Sequence, residues 1–328
     1  MKVLVTGASG MLGAAVARAL HERGDDVTVF QRRPSGLPCV ERLGDVTDAT
    51  AVRAAAAGSD AVVHLAARVS VTGRWADFEA TNVDGTANVL AAARAGGAGR
   101  LVHVSSPSVA HSGRSLVGAS ATPADPDRAS GHYARSKAMA ERLALAAPDL
   151  AVVAVRPHLV WGPGDTQLVG RIAERARSGR LALVGSGAAL VDTTYVDNAV
   201  EAIVAALDRA GDSPGPAGHA YVVSNGQPRP LAELVARICA AVGAAPPRRH
   251  VPYRVARAGG AVAELLWAGL QRTDDPPMTR FLAEQLSTAH WFDLRETRSA
   301  LGWAPRVDLD EGFRRLAAAS AGAEAGIS

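Results

Sequence analysis

KVLVTGASGMLG, residues 2–13, is the stretch whose reading decides the fold. Its first five residues form a short β-branched, apolar run. Gly7, Gly10 and Gly13 then recur at three-residue spacing, and helical apolar spacing begins at Met11. A strand that turns directly into a helix presents the helix N-terminus, with unpaired N–H groups and a partial positive charge, to whatever lies over the turn. Glycines are required because the tight turn tolerates no Cβ, the backbone must approach a pyrophosphate, and the helix must pack near the strand. With 33 glycines in 328 residues a lone triplet carries little weight. Set between a strand and a helix, it predicts a dinucleotide-binding turn in which Gly7, Ser9, Gly10, Met11, Leu12 and Gly13 face the phosphates.

The pattern continues outward from this turn. DVTVF (26–30), AVVHL (61–65), LVHVS (101–105) and LAVVAVR (150–156) are near-continuously apolar, as parallel strands covered on both faces should be. Amphipathic stretches such as MLGAAVARALHERG and YARSKAMAERLALAA separate them. The alternation predicts right-handed βαβ units and an α/β fold with a doubly wound parallel sheet. After Pro157 the rhythm changes, and Pro- and Gly-rich connectors appear at WGPGD, GDSPGPAG and NGQPRP. Helical stretches follow at LAELVARICAAVG, 254–272 and MTRFLAEQL. The expected organisation is a dinucleotide-binding domain over 1–160, with 193–210 returning to it, and a smaller, mainly helical C-terminal substrate domain over 161–328. The Ala-rich tail after Ala317 is expected to fray.

Composition narrows the function class. Apolar residues make up 48% of the chain and charged residues 20%, while aromatics are only 4%, so the core is expected to be large and aliphatic. A net charge of +3 with scattered basic residues argues against nucleic acid, and RRHVPYRVAR (248–257) reads as a solvated face. Cys39 and Cys239 lie far apart without CxxC spacing. No disulfide framework or metal site is therefore expected, and a reducing cytoplasm is the expected compartment. The N-terminal apolar run enters the glycine turn with no cleavage-like site, so no signal peptide is expected. AGGAVAELLWAGL (258–270) is too short to span a bilayer and carries Glu264, which predicts a buried or interfacial helix.

The end of the second strand bears on the cofactor. An NAD site usually places a carboxylate there for the ribose 2′-hydroxyl. This chain reads VTVFQRRP, with Gln31 where the acid is expected and Arg32 and Arg33 following. Arginines pair bidentately with a 2′-phosphate that a carboxylate would repel, so NADP(H) is the expected cofactor.

YARSK places Tyr133 and Lys137 four residues apart, on one face of a helix. A free phenol, with a pKa near 10, is a poor proton-transfer group at neutral pH; a neighbouring ammonium favours its ionised form. VSSPSV supplies Ser105, Ser106 and Ser108 at a strand's C-terminal end, where open α/β sheets bind ligands.

With TGASGMLG, GDVTD, HLAA, NVDGTANVL, VSSPSV, YARSK, RPHLVWGPGD and YVDNA in this order, the chain resembles the extended short-chain dehydrogenase/reductases along its whole length. The resemblance implies a Rossmann-type fold, with catalytic Ser106, Tyr133 and Lys137. It also implies Asp45 and Val46 at the adenine, Leu65, Ala66 and Ala67 along the cofactor cleft, and Pro157, Leu159 and Val160 bordering the nicotinamide, with Tyr133 and Lys137 touching the cofactor as well. Asn82 is read as stabilising helix and loop. RPHLVWGPGDTQLVGRIAERARSGRL, VDTTYVDNA and TRFLAEQLSTAHWF resemble the 3β-hydroxysteroid dehydrogenase-like branch, and within it the 2-alkyl-3-oxoalkanoate reductases of bacterial long-chain olefin biosynthesis. That implies reduction of the 3-keto group of a long-chain β-keto acid, in a pocket walled by the apolar helices between 258 and 286.

Alternative readings are a dehydrogenase of a bulky 3β-alcohol or ketone, a nucleotide-sugar epimerase or dehydratase, and a non-catalytic NADP-binding sensor. The arginines after strand two and the apolar C-terminal region argue against the sugar enzymes. The intact serine, tyrosine and lysine argue against the sensor. Candidate partners beyond the substrate are a second copy of the chain, other enzymes of the pathway and a membrane surface.

Overall fold

The computed structural model describes residues 1–325 except Val71, Ser112 and 271–275. Seven strands build the main sheet: β1 (Lys2–Thr6), β2 (Asp26–Gln31), β3 (Val40–Leu43), β4 (Ala61–His64), β5 (Arg100–Val104), β6 (Ala151–Pro157) and β7 (Ala220–Val223). They lie in the order β7-β6-β5-β4-β1-β2-β3, all parallel. The order reverses at β1, so the crevice between the C-terminal ends of β1 and β4 is the switch point at which such sheets bind ligands. The doubly wound Rossmann-type sheet is present as expected.

Alternate residues of each strand feed two core layers. Val3 and Val5 join a layer with Val16 and Leu20 of helix α1 (Met11–Glu22). Leu4 points the other way, among Val52 of α2 (Ala49–Ala56) and Val89 and Leu90 of α3 (Gly85–Gly96). Helix α4 (Gly131–Leu145) covers this second face, and α5 (Val196–Arg209) lies beside α1 on the first through Ile203 and Leu207. Each fully buried aliphatic side chain contributes about 1.5–3 kcal/mol, so these layers dominate the stability of the sheet.

Two strands of the sheet are not among those expected from the sequence. VERL of β3 is an exposed edge strand, where one-sided contact removes the need for a hydrophobic run. AYVV of β7 lies between turn-rich segments, beyond residue 160. The second lobe is mainly helical, as expected, with short strands added that the sequence did not announce. It holds a four-stranded sheet in the order Arg229–Pro230, Leu190–Val191, His290–Phe292 and Leu116–Ala119. Strands of two to four residues are shorter than a period-two pattern can declare. Around them lie the helices Val169–Arg177, Leu231–Ala241, Tyr253–Gly269 and Arg280–Gln285. The helix expected over 254–272 is described as Tyr253–Gly269, and its expected last two residues lie outside the described ones. The terminal helix Leu309–Ala325 runs well past Ala317, where fraying was expected. Its Phe313 stacks on Trp161 at 4.5 Å between ring centroids.

Buried polar groups join the lobes. Asn198 donates to Asn225 Oδ1 (2.9 Å) and to the Val307 carbonyl (2.7 Å), and accepts from the backbone of Arg306 and Val307. His111 and His290 meet through their Nε2 atoms at 3.1 Å, and His158 Nδ1 lies 2.5 Å from the Asp192 carbonyl. Burial holds His158 at about 4 and His290 at about 3, so both are neutral spacers at physiological pH.

Candidate active site

The glycine turn has the form its sequence demands. Gly7 sits at φ +80°, and a Cβ there would lie 2.7 Å from the Ala66 nitrogen. A Cβ on Gly13 would come within 2.3 Å of the Gly7 carbonyl oxygen. Gly10 is different: its Cβ would meet only that carbonyl, at 3.6 Å. Gly10 caps α1 in extended conformation without a side-chain cap. The first amides of α1 thus face an open cradle in which Ser9, Met11 and Leu12 are partly exposed or exposed. These residues fit a dinucleotide pyrophosphate.

Around the switch point, Thr6 Oγ1 accepts from the Ala66 amide (3.2 Å) and meets His64 Nδ1 (2.8 Å), fixing the strand end from which Leu65, Ala66 and Ala67 follow. Asp45 accepts from the Thr47 amide and hydroxyl, both at 3.0 Å. Val46 is buried against Gly85 and its carbonyl accepts from Asn88. Arg32 is 72% exposed and lies 3.8 Å from Asp45, and Arg33 is exposed. Gln31 does not share their exposure. It is buried, and its amide donates to Glu41 Oε1 (2.8 Å), which also accepts from the amide and hydroxyl of Ser35. Leu159 takes φ +44°, a left-handed conformation unusual for leucine, between the buried Pro157 and the half-buried Val160.

The structure brings Ser106, Tyr133 and Lys137 together at the C-terminal end of β5. Ser106 begins the short helix Pro107–Ala110, accepts from the Ser108 hydroxyl (2.9 Å) and is hydrogen-bonded to Tyr133. Neighbouring Ser105 is buried and its hydroxyl has no partner. Lys137 is 3% exposed; its amine donates to the Val104 carbonyl at 2.7 Å and lies 3.4 Å from His103 Nε2.

The electrostatics differ from expectation in one respect. Burial pushes the Tyr133 phenol up to about 12, opposed by the bond to Ser106, rather than an ammonium drawing it down. The Lys137 amine turns instead to Val104 and His103, because a buried ammonium takes the nearest acceptors. Burial lowers Lys137 to about 8, with Glu141 one helical turn away holding it up. Glu141 itself is locked in a buried two-pronged pair with Arg156 of β6. Arg156 Nε donates at 2.8 Å, a second nitrogen bonds Oε1, and Nη1 donates to the Thr122 carbonyl at 2.7 Å.

Two supporting histidines escaped the sequence reading. His64 and His103 are register partners across β4 and β5, both buried and both held neutral, His64 at about 3. A histidine near the end of each of two apolar strands was the available signal. Asn82, in the turn Glu79–Asp84, accepts from the Arg68 amide (2.7 Å) and donates to Ser136 (2.9 Å). Ser136 in turn donates to the Tyr133 carbonyl (2.9 Å). Asn82 thus pins the loop after Ala67 to the helical turn that bears the phenol.

Comparison with known proteins agrees with this architecture. A relative from Stenotrophomonas maltophilia, named 2-alkyl-3-oxoalkanoate reductase, is 47% identical over 98% of this chain and 100% of its own. One of the same name from Shewanella oneidensis is 39% identical over 96% of this chain and 85% of its own. A 3 beta-hydroxysteroid dehydrogenase/Delta 5-->4-isomerase from Mycobacterium tuberculosis is 32% identical over 93% and 86%. Among solved structures, gox2253 superposes with a TM-score of 0.77 at 26% identity over 98% of both chains. MoeE5 in complex with UDP-glucose and NAD, 24% identical with a TM-score of 0.76 over the whole of both chains, shares the fold. The pattern of the NAD dependent epimerase/dehydratase family matches residues 3–224, and the chain belongs to that family.

Proposed function

We propose that this chain is an NADP(H)-dependent reductase acting on the 3-keto group of 2-alkyl-3-oxoalkanoic acids, within long-chain olefin biosynthesis. The observation that carries the reading is the convergence of Ser106, Tyr133 and Lys137 at the C-terminal end of β5, with Tyr133 bonded to Ser106 and the Lys137 amine on the Val104 carbonyl, in the same sheet whose β1 ends in the glycine cradle. The names borne by the 47% and 39% identical relatives support a keto group as the target.

The dinucleotide would be held by the Gly7–Gly13 turn, Asp45 and Val46, Leu65 to Ala67, Pro157, Leu159 and Val160, with Arg32 and Arg33 at the 2′-phosphate. Gln31 supports β3 through Glu41 rather than offering its amide nitrogen to a ligand. Bound there, a reduced nicotinamide supplies a hydride for the ketone carbon. Ser106 donates to the ketone oxygen and polarises it. Tyr133 gives its proton to the same oxygen as alkoxide charge develops, and a phenol near 12 is fully loaded across the neutral range. Lys137, charged below its value of about 8, stabilises the phenolate left behind. His103 and the Val104 carbonyl hold that amine in place.

The test is a spectrophotometric panel of NADPH and NADH against a 2-alkyl-3-oxo acid, a ketosteroid and a nucleotide sugar. Turnover of the keto acid with a strong preference for NADPH is expected. Faster turnover of the ketosteroid would favour the steroid dehydrogenase reading, which the 32% identical mycobacterial relative supports.

A further inference from the structure

Helix Tyr253–Gly269 is apolar in two opposite directions. Its inner face closes on helix Arg280–Gln285. A Cβ on Gly260 would lie 2.6 Å from the Thr279 carbonyl carbon, and Ala256 and Ala283 are buried there. Glu264 accepts from the Arg280 amide and side chain, both at 2.7 Å. The outer face should then be polar. It instead presents Val255 (59% exposed), Val262 (57%), Leu265 (75%) and Leu266 (53%), with Leu270 (67%) just beyond the helix end. At 3.6 residues per turn these fall within a stripe roughly 140° wide. Single exposed leucines are ordinary, whereas a continuous stripe of them marks an interaction surface.

Among the described residues around the stripe, the carboxylates are paired and the exposed charges are basic. Glu264 is taken by Arg280, and Glu284 lies 3.5 Å from Arg257. Arg254 on the stripe's flank, and Arg248 and Arg249 beside it, stay exposed to solvent. Between Tyr253, Arg254, Arg257, Ala258, Ala261 and Glu284 opens a cleft of about 470 Å³ beside the apolar face, its one carboxylate, Glu284, set against Arg257 and Arg254 left exposed. A second copy laid on this stripe would bring like arginines together. An apolar surface rich in anions meets both features.

We propose that the outer face of helix Tyr253–Gly269 seats on an anionic phospholipid bilayer, its leucines and valines in the acyl boundary and its arginines against lipid phosphates. No helix among the described residues is long and apolar enough to cross a membrane, so the contact is peripheral. The inference is independent of which ketone the enzyme reduces.

Co-sedimentation of the full chain with vesicles tests it. The protein should bind mixed phosphatidylglycerol/phosphatidylcholine vesicles about tenfold or more tightly than phosphatidylcholine alone, and lose that advantage in high salt. Leu265→Glu with Leu266→Glu should abolish binding while leaving Tm unchanged. Arg254→Glu should weaken binding several-fold. Failure to bind phosphatidylglycerol vesicles, or equal binding by the double variant, overturns the proposal. So does a wild-type dimer that the double variant converts to monomer without any vesicle binding, since the stripe would then be covered by a second copy.

Discussion

Replacing Lys137 by methionine should make the protein more stable and inactive at once. The side chain is 3% exposed, and burial lowers its amine from the ordinary 10.5 to about 8. At 1.36 kcal/mol per pH unit that fall corresponds to roughly 3 kcal/mol, the cost of keeping the amine charged in the folded state. Methionine removes this cost and retains most of the volume. It also strands the Val104 carbonyl and His103 Nε2, whose lost hydrogen bonds cost about 1 kcal/mol each. The variant should therefore gain about 1–2 kcal/mol at pH 7. The sign with pH follows from the lowered value. Between about 8 and 10.5 the unfolded lysine binds more protons than the folded one, so the wild type gains stability as pH rises through that window. The variant's advantage should shrink there and reverse by pH 10. Urea denaturation of both proteins at four pH values from 7 to 10, followed by far-ultraviolet circular dichroism, measures the difference. A difference that stays flat with pH would refute a buried, charge-destabilised lysine, whatever the variant's activity.

Tyr133→Phe should lower kcat by about 10²–10⁴-fold, as loss of a general acid does, while leaving dinucleotide binding by fluorescence titration intact. The reduction rate should fall as pH rises through about 8, when Lys137 loses its charge, because the phenol near 12 is still protonated there; a stopped-flow pH profile reads this directly. Glu141→Gln leaves Arg156 charged and buried without its partner, which should cost about 3–5 kcal/mol in denaturant unfolding and move the pH limb of kcat below that of the wild type. Arg32→Ser with Arg33→Ser should raise the KM for NADPH about tenfold or more and leave that for NADH nearly unchanged, since each charge-assisted bond to a phosphate contributes about 1.5–3 kcal/mol. Gly13→Ala places a methyl group 2.3 Å from the Gly7 carbonyl oxygen and should lower Tm and weaken dinucleotide binding together, at a cost of about 1–3 kcal/mol.

What the sequence disclosed depended on whether a residue's chemistry is declared locally. Five strands were readable because burial on both faces demands an apolar run, and the glycine turn because a sharp strand-to-helix junction excludes side chains. β3 was not readable, since an edge strand such as VERL meets the sheet on one side only. The short sheet of the second lobe was hidden because two-residue strands show no alternation, and one of its members, Leu116–Ala119, arrives from the first half of the chain. At the site, the i, i+4 spacing placed Tyr133 and Lys137 on one helix face correctly. It gave no information about what lies opposite that face. His103 and Val104, which hold the amine, come from a strand more than thirty residues earlier, and only the fold brings them there. The ammonium was expected to act on the phenol; in the folded chain desolvation sets both values, and desolvation is not written in spacing.

The bond between Glu141 and Arg156 has a consequence for how this architecture changes over time. Helix α4 carries Tyr133 and Lys137, β6 leads into Pro157, and the two are bolted together where water does not reach. That side of the cleft acts as a fixed jaw. We propose that substrates of different girth are accommodated by the opposing jaw, built from the C-terminal lobe. Altered substrate choice should map to that lobe, while the proton-transfer machinery passes unchanged from one chemistry to the next.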